Sequence, residues 1–180
     1  RIAIRNDPFD PAEMLNSAVG LYALSARESG TELTLELDPV LPPALLGDRA
    51  RLHQVLCNLV GNAVKFTQDG QVRVEAALLP QQGEAKPPGS RRVLFTVGDT
   101  GVGIPEESMD GLFDSFTQAD AGFTREFQGA GLGLAICKRL VRLMGGSIAI
   151  DSEPGRGTTA YVSLAFDLPD DGQATERVAE

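Results

Sequence analysis

One stretch limits what this chain can become more than any other. From Arg51 to Thr67 it reads Arg-Leu-His-Gln-Val-Leu-Cys-Asn-Leu-Val-Gly-Asn-Ala-Val-Lys-Phe-Thr. Stepped at about 100° per residue, it divides into two faces. Leu52, Val55, Leu56, Leu59, Val60 and Ala63 form an apolar stripe that must be buried against another layer. Gln54, Asn58, Asn62 and Lys65 gather on the other side. Asparagine is a poor helix former, because its amide competes for nearby backbone groups. Two of them one turn apart in mid-helix break a local rule without an evident structural gain, and such breaks tend to mark function. A solvated polar face is the plain alternative for any one of these residues.

Composition removes several classes. At 180 residues the chain is one domain with tails or at most two small ones, and 42% hydrophobic with 23% charged residues is ordinary for a globular protein. A formal charge of −9 argues against nucleic acid or an anionic membrane as partner, since either needs a basic patch. No apolar run approaches a membrane span and no signal peptide opens the chain, so a cytoplasmic location is expected. Arg1 in place of Met is expected of a piece cut from a longer protein. Cys57 and Cys137 sit apart inside helical patterns and read as reduced thiols. His53 is the only histidine, which leaves little material for a His-based metal site or a Ser-His triad.

Taken in order, Arg1 to Arg5 suggests a short strand. Asp10-Pro11 starts a helix, with Asp as N-cap, that runs to near Gly30. Leu33, Leu35 and Leu37 alternate with polar neighbours in a half-buried strand from Thr31 to Asp38. A proline-rich connection leads to Asp48, the cap of the central helix. Strands are expected at Gln71 to Leu79 and Val93 to Val97, and a short helix from Pro105 to about Phe113. A mobile loop is read from Asp114 to Gln128, then a helix from Gly129 to Gly145-Gly146. Ser147 to Asp151 and Thr158 to Phe166 close as a hairpin through Glu153-Pro154-Gly155-Arg156-Gly157. The domain is thus expected over 1–166, with 167–180 an acidic linker or tail. The fold class is α+β: a two-layer α/β sandwich, its mixed and mostly antiparallel sheet carrying helices on one face.

Three glycine-rich stretches follow the asparagine-bearing helix. None is a P-loop, for no Gly-Lys-Ser/Thr occurs, and Gly129, Gly131 and Gly133 are spaced two apart, unlike the dinucleotide fingerprint. Five ordered motifs, Asn58 to Thr67, Asp99 to Pro105, Leu112 to Gln118, Gly129 to Leu134 and Gly155 to Thr159, together resemble something else. They are similar to the asparagine, glycine and phenylalanine boxes of the ATP-binding catalytic domain of sensor histidine kinases. That family belongs to the superfamily shared with gyrase, Hsp90 and MutL. The resemblance covers Phe9 to Phe166, and its wording around Gly47-Asp48 and Lys65-Phe66-Thr67 looks most like hybrid kinases. Ala130 stands where the family more often has Thr or Ser.

The resemblance implies ATP and Mg²⁺ as ligands and assigns roles. Asp99 would accept from the adenine amino group, where guanine presents a carbonyl, so ATP is preferred over GTP. Gly101 and Gly103 admit the purine without a Cβ in the way, with Ile104 and Phe66 beside them. Asn62 is the metal ligand, and Asn58 reaches the same ion or its water. Lys65 is a point charge for the phosphates. Gly129, Gly131, Leu132, Gly133 and Leu134 open a helix whose free N–H groups and dipole face the polyanion. Phe113 and Arg125 belong to the lid over ATP, Arg125 being equally well a solvated charge. Thr158 or Thr159 lines the phosphate side or is an ordinary strand threonine.

Gyrase, Hsp90 and MutL carry a Glu where this chain has Asn58. An amide takes no proton near pH 7, so it is no general base, and hydrolysis is expected to be slow. The resemblance instead implies transfer of the γ-phosphoryl group to a histidine on a separate dimerisation domain, its own or a partner's, with a receiver domain or response regulator downstream. His53, inside the asparagine box, is read as structural or surface. The fragment is expected to be monomeric and its parent a homodimer, anchored in the inner membrane or free. The other open class is a nucleotide-binding or interaction module of a degenerate kinase that modulates a partner kinase.

Overall fold

A computed structural model describes residues 3–80, 89–109, 111–113 and 130–169. In chain order the elements are β1 (Asp7–Phe9), α1 (Pro11–Gly20), α2 (Ala23–Glu28), β2 (Glu32–Leu37), β3 (Leu45–Gly47) and α3 (Arg49–Lys65). There follow β4 (Gln71–Leu78), β5 (Arg91–Asp99), α4 (Glu106–Met109), α5 (Ala130–Leu143), β6 (Ser147–Glu153) and β7 (Gly157–Phe166). Five strands form one sheet in the order β2-β4-β5-β7-β6, and β1 pairs with β3 in a separate ribbon. The fold is α+β with a mixed, mostly antiparallel sheet, as expected from the sequence.

Only β2 and β4 run parallel. Parallel neighbours need a long crossover, and α3 supplies it. Asp48 starts α3 by accepting from Arg51 N at 3.0 Å, and its second oxygen accepts from Arg5 N at 3.0 Å. The apolar stripe of α3 is buried through Leu52, Val55, Leu56, Leu59, Val60, Ala63 and Val64. Against it the sheet sets the inward residues of β4 (Val72, Val74, Ala76), β5 (Val93, Phe95, Val97) and β7 (Ala160, Val162, Leu164). α1 adds Met14, Leu15 and Ala18, and α5 adds Leu134, Cys137, Leu140 and Val141. Fully burying one such aliphatic or aromatic side chain contributes about 1.5–3 kcal/mol. The second face of the sheet alternates to polar residues such as Arg73, Thr96 and Ser163, the pattern of a half-solvated antiparallel sheet.

Four local expectations change. Residues 3–5 are not strand; the strand is Asp7–Phe9, and Phe9 meets the Phe166 ring edge-on at 5.8 Å. The single helix expected to reach Gly30 is two, because Tyr22 (φ −108°, ψ 1°) leaves the helical path and its ring lies against Gly61 of α3. The proline-rich connection contains β3, which pairs with β1. The helix after Pro105 is one turn and ends at Met109. Asp10 does cap α1, accepting from Ala12 N at 2.7 Å and Glu13 N at 3.1 Å. Past Phe166, the carbonyl of Asp167 accepts from Leu46 N at 2.9 Å and Leu168 packs on the core. The expected mobile loop from 114 to 128, with Arg125, and Gly129 lie outside the described residues, as does the tail from 170.

Candidate functional site

The polar face of α3 is flanked at each end by a glycine stretch. At its C-terminal end is the loop that follows β5. Asp99 closes β5, and its Oδ1 accepts from Gly101 N at 2.9 Å and from Thr158 N at 3.2 Å. One carboxylate oxygen thus ties the glycine loop to the start of β7. Burial pushes the Asp99 carboxyl above its ordinary 3.8, against the two backbone N–H groups, which pull it down. The loop lies so close to the end of α3 that a Cβ on Gly101 would strike the Phe66 carbonyl and stand 2.9 Å from Thr67 Oγ1. Val102 N donates to that same Phe66 carbonyl at 3.2 Å.

A second seam holds the loop to the β6–β7 hairpin. Gly155 N donates to Val102 O at 2.8 Å, and Ile104 N donates to Ser152 Oγ at 2.8 Å. Ser152 Oγ also donates to Gly157 O at 2.9 Å and shares a 2.8 Å bond with Thr158 Oγ1. Gly103 (φ 70°) and Gly157 (φ 110°) adopt backbone conformations that side chains rarely take. A Cβ on Gly103 would run into the Glu153 carbonyl, and one on Gly157 into that of Asp99. The glycines are needed here for backbone-on-backbone closeness.

At the other end of the polar face, α5 packs on α3. A Cβ on Gly133 would lie 2.5–2.9 Å from the Asn58 amide, so the amide rests on a bare Cα. The buried Cys137 thiol donates to Val55 O at 3.8 Å. Asn62 is half-buried one turn beyond Asn58. Lys65 is exposed, with Nζ 5.1 Å from the ring centroid of half-buried Phe66. Phe113, half-buried, carries the Lys138 ammonium over its ring at 4.8 Å.

The structure therefore brings Asp99, Gly101, Gly103, Ile104 and Thr158 into one seam, which meets Phe66. It sets Asn58 against Gly133. Gly131 and Leu132 lie in the first turn of α5. Leu134 buries its side chain in the core, so only its backbone is on offer to a ligand. Sequence reasoning missed Ser152 and Cys137, and it gave Thr67 no role of its own. Thr67 Oγ1 is buried and, among the described residues, has no hydrogen-bond partner. Ser152 and Cys137 carried no signal, since a serine in a strand and a cysteine on an apolar stripe look ordinary. Thr67 had one, standing directly after the asparagine helix. Among the described residues no three His, Cys, Asp or Glu side chains gather to hold a metal. The side-chain oxygens of α3's polar face, on Gln54, Asn58 and Asn62, are amide oxygens. Among the described residues, too, no helix is long and apolar enough to cross a membrane.

The profile of the family described as histidine kinase-, DNA gyrase B- and HSP90-like ATPase matches residues 47–169. The sensor histidine kinase AruS of Pseudomonas aeruginosa is 42% identical over 95% of this chain, which spans 17% of that protein. The signal transduction histidine-protein kinase BarA of Escherichia coli K12 is 38% identical over 93% of the chain and 18% of its own length. The hybrid signal transduction protein dokA of Dictyostelium discoideum is also 38% identical, over 93% of the chain and 10% of its length. Among solved structures, full-length ShkA in complex with AMPPNP superposes with a TM-score of 0.75 at 34% identity, over 93% of this chain and 32% of that one. The chain belongs to the histidine kinase-, DNA gyrase B- and HSP90-like ATPase family, among relatives named sensor and hybrid histidine kinases.

Proposed function

We propose that the chain binds Mg²⁺-ATP and passes the γ-phosphoryl group to a histidine on a separate dimerisation domain, within a two-component phosphorelay. The observation that carries this reading is the anchoring of Asp99. Two backbone N–H groups take Oδ1, so Oδ2 is the oxygen that remains for a base. A carboxylate oxygen accepts only, which matches the amino group of adenine and opposes the carbonyl of guanine. The ShkA structure with AMPPNP supports the same ligand class.

The remaining parts fit a triphosphate. Asn62 and Asn58 offer neutral amide oxygens suited to Mg²⁺, which keeps several waters and takes phosphate oxygens as further ligands. Lys65 stands beside them at the end of the helix, and the first turn of α5, with Gly131, Leu132 and Gly133, offers N–H groups and a positive dipole end. Thr158 holds Asp99 from the hairpin side through its backbone N–H. Mg²⁺, when bound, supplies charge stabilisation at the transferred group. The chain's own residues position the nucleotide, and none of them on α3's polar face is a base for water. That leaves the phosphoryl group for an imidazole supplied from outside, with a receiver domain or response regulator consuming the phosphohistidine.

The test is incubation of the chain with Mg²⁺ and γ-labelled ATP beside an isolated dimerisation domain from a related kinase. Acid-labile, alkali-stable label on the added domain is the expected outcome, absent when Asp99→Asn replaces the parent. ATP binding without transfer to any acceptor domain tried would favour a nucleotide-dependent interaction module instead. No ATP binding by the folded chain would refute the proposal.

A further inference from the structure

Thr67 is 2% exposed, and its Oγ1 is the one buried side-chain oxygen or nitrogen among the described residues without a hydrogen-bond partner. The backbone of the residue is held on both sides. Its N–H donates to Val64 O at 3.4 Å, and its carbonyl accepts from Thr31 Oγ1 at 3.1 Å. The side chain stands between two bare glycines: Cγ2 lies 2.8 Å from the place of a Cβ on Gly70, and Oγ1 lies 2.9 Å from the place of one on Gly101. The methyl thus packs against Gly70 and the hydroxyl faces Gly101. Gly101 is also the residue whose N–H donates to Asp99 Oδ1 at 2.9 Å. An unpaired hydroxyl and the carboxylate therefore lie against the same residue of the glycine loop. A buried hydroxyl left unbonded is a cost to the fold, and a valine of nearly the same shape would avoid it.

We infer that the Thr67 hydroxyl is a further base-recognising group, which donates, directly or through one water, to a ring nitrogen of a purine seated beside Asp99. The inference deepens the Mg²⁺-ATP reading above and rests on it. An ionised carboxylate only accepts, whereas a hydroxyl supplies a donor. Adenine presents the complement, an amino group that donates and, on either side of it, the ring nitrogens N1 and N7 that accept. In the ligand-free chain Gly101 faces the hydroxyl with no side chain, so a small shift of that one residue opens it to a ligand or a water. A side chain at Gly101 would strike the Phe66 carbonyl and close the hydroxyl off. Thr67 therefore has a use, beside the carboxylate, that a valine in the same place lacks.

Two readouts on this chain test it, with Thr67→Val removing the hydroxyl at nearly constant shape and Thr67→Ser keeping it. The first needs no nucleotide. In urea the midpoint of Thr67→Val should lie above that of the parent, because an unpaired polar atom has gone, while Thr67→Ser, which loses the methyl against Gly70, should not gain. The second is calorimetry with Mg²⁺-ATP and with the 1-deaza and 7-deaza analogues of ATP. ATP affinity should fall by roughly three- to tenfold in Thr67→Val, one hydrogen bond's worth, and stay within about twofold of the parent in Thr67→Ser. One of the two analogues should bind the parent and Thr67→Val alike, since it lacks the nitrogen that the hydroxyl serves. An unchanged or lower midpoint in Thr67→Val means that a structural water already holds the hydroxyl in the free chain, and overturns the inference. So does ATP affinity kept intact in Thr67→Val, or a difference between parent and variant that persists with both analogues. Failure of the parent chain to bind ATP refutes the proposed function and the base contact together, while the urea midpoints still decide whether the fold leaves the hydroxyl unpaired.

Discussion

Replacing Asp99 by Asn is the sharpest perturbation, because the structure dictates which way the new amide must lie. Gly101 N and Thr158 N both donate to Oδ1, so the amide oxygen has to occupy that place. The NH₂ group then replaces Oδ2 and meets the amino group of adenine, donor against donor. The lost bond to a charged acceptor is worth about 1.5–3 kcal/mol, and a donor left unpaired costs about 1–3 kcal/mol more. The sum, about 2.5–6 kcal/mol, is a loss of at least roughly 50-fold in ATP affinity. GTP, whose carbonyl accepts from that NH₂, should gain. Folding should respond in the opposite sense. Burial raises the Asp99 carboxyl above 3.8 in spite of its two N–H donors, so at neutral pH the charge is a net cost to the fold. A raised carboxyl contributes stability below its unfolded value and loses it as pH climbs through the folded one. The Asn variant should therefore melt no lower than the parent at pH 7, with its relative advantage appearing as pH rises from about 3.8. The assays are calorimetric titration with Mg²⁺-ATP and Mg²⁺-GTP, and melting curves across pH. ATP affinity within threefold of the parent, or a melting point well below it at pH 7, would refute the reasoning.

Other expectations are simpler. ATP affinity of the parent should fall on acidification at a pH above 3.8, where Asp99 gains its proton, and the Asn variant should lack that component. Gly103→Ala places a Cβ into the Glu153 carbonyl at φ 70° and should cost about 2 kcal/mol or more in urea unfolding; an unchanged midpoint would mean the seam does not close as described. Asp48→Ala removes the cap of α3 and the bond to Arg5 N, a loss of about 1–2 kcal/mol by the same measurement. A thiol reagent should label Cys57, which is half-buried, and spare Cys137, at 1% exposure and pushed up to about 12, until the chain unfolds. Equal labelling rates in the native chain would contradict the packing of α5.

Local pattern failed where a long-range contact made the decision. Nothing between Gly20 and Tyr22 forces the helix to stop, but Tyr22 has a docking place on Gly61, and the chain turns to reach it. Asp7–Phe9 became strand because Leu45–Gly47, at the end of the proline-rich connection, pairs with it. Three-residue strands carry too little alternation to be seen before their partner is known.

The sequence by itself determined the elements with strong periodicity and the order of the motifs. The α3 stripe, the capping aspartates and the alternating strands each express a rule that acts over a few residues, so a linear reading suffices. It also marked Asn58 and Asn62 as out of place in mid-helix, and the family resemblance singled out Asp99. Only the tertiary structure decided what those residues touch. Ser152 joining Ile104 to Thr158, Gly133 making room for Asn58, and Cys137 donating to the Val55 carbonyl all depend on elements distant in the chain meeting at ångström precision. Hydrogen bonds have a range of about 3 Å, and a sequence holds no information at that scale until the core has fixed the helices on the sheet.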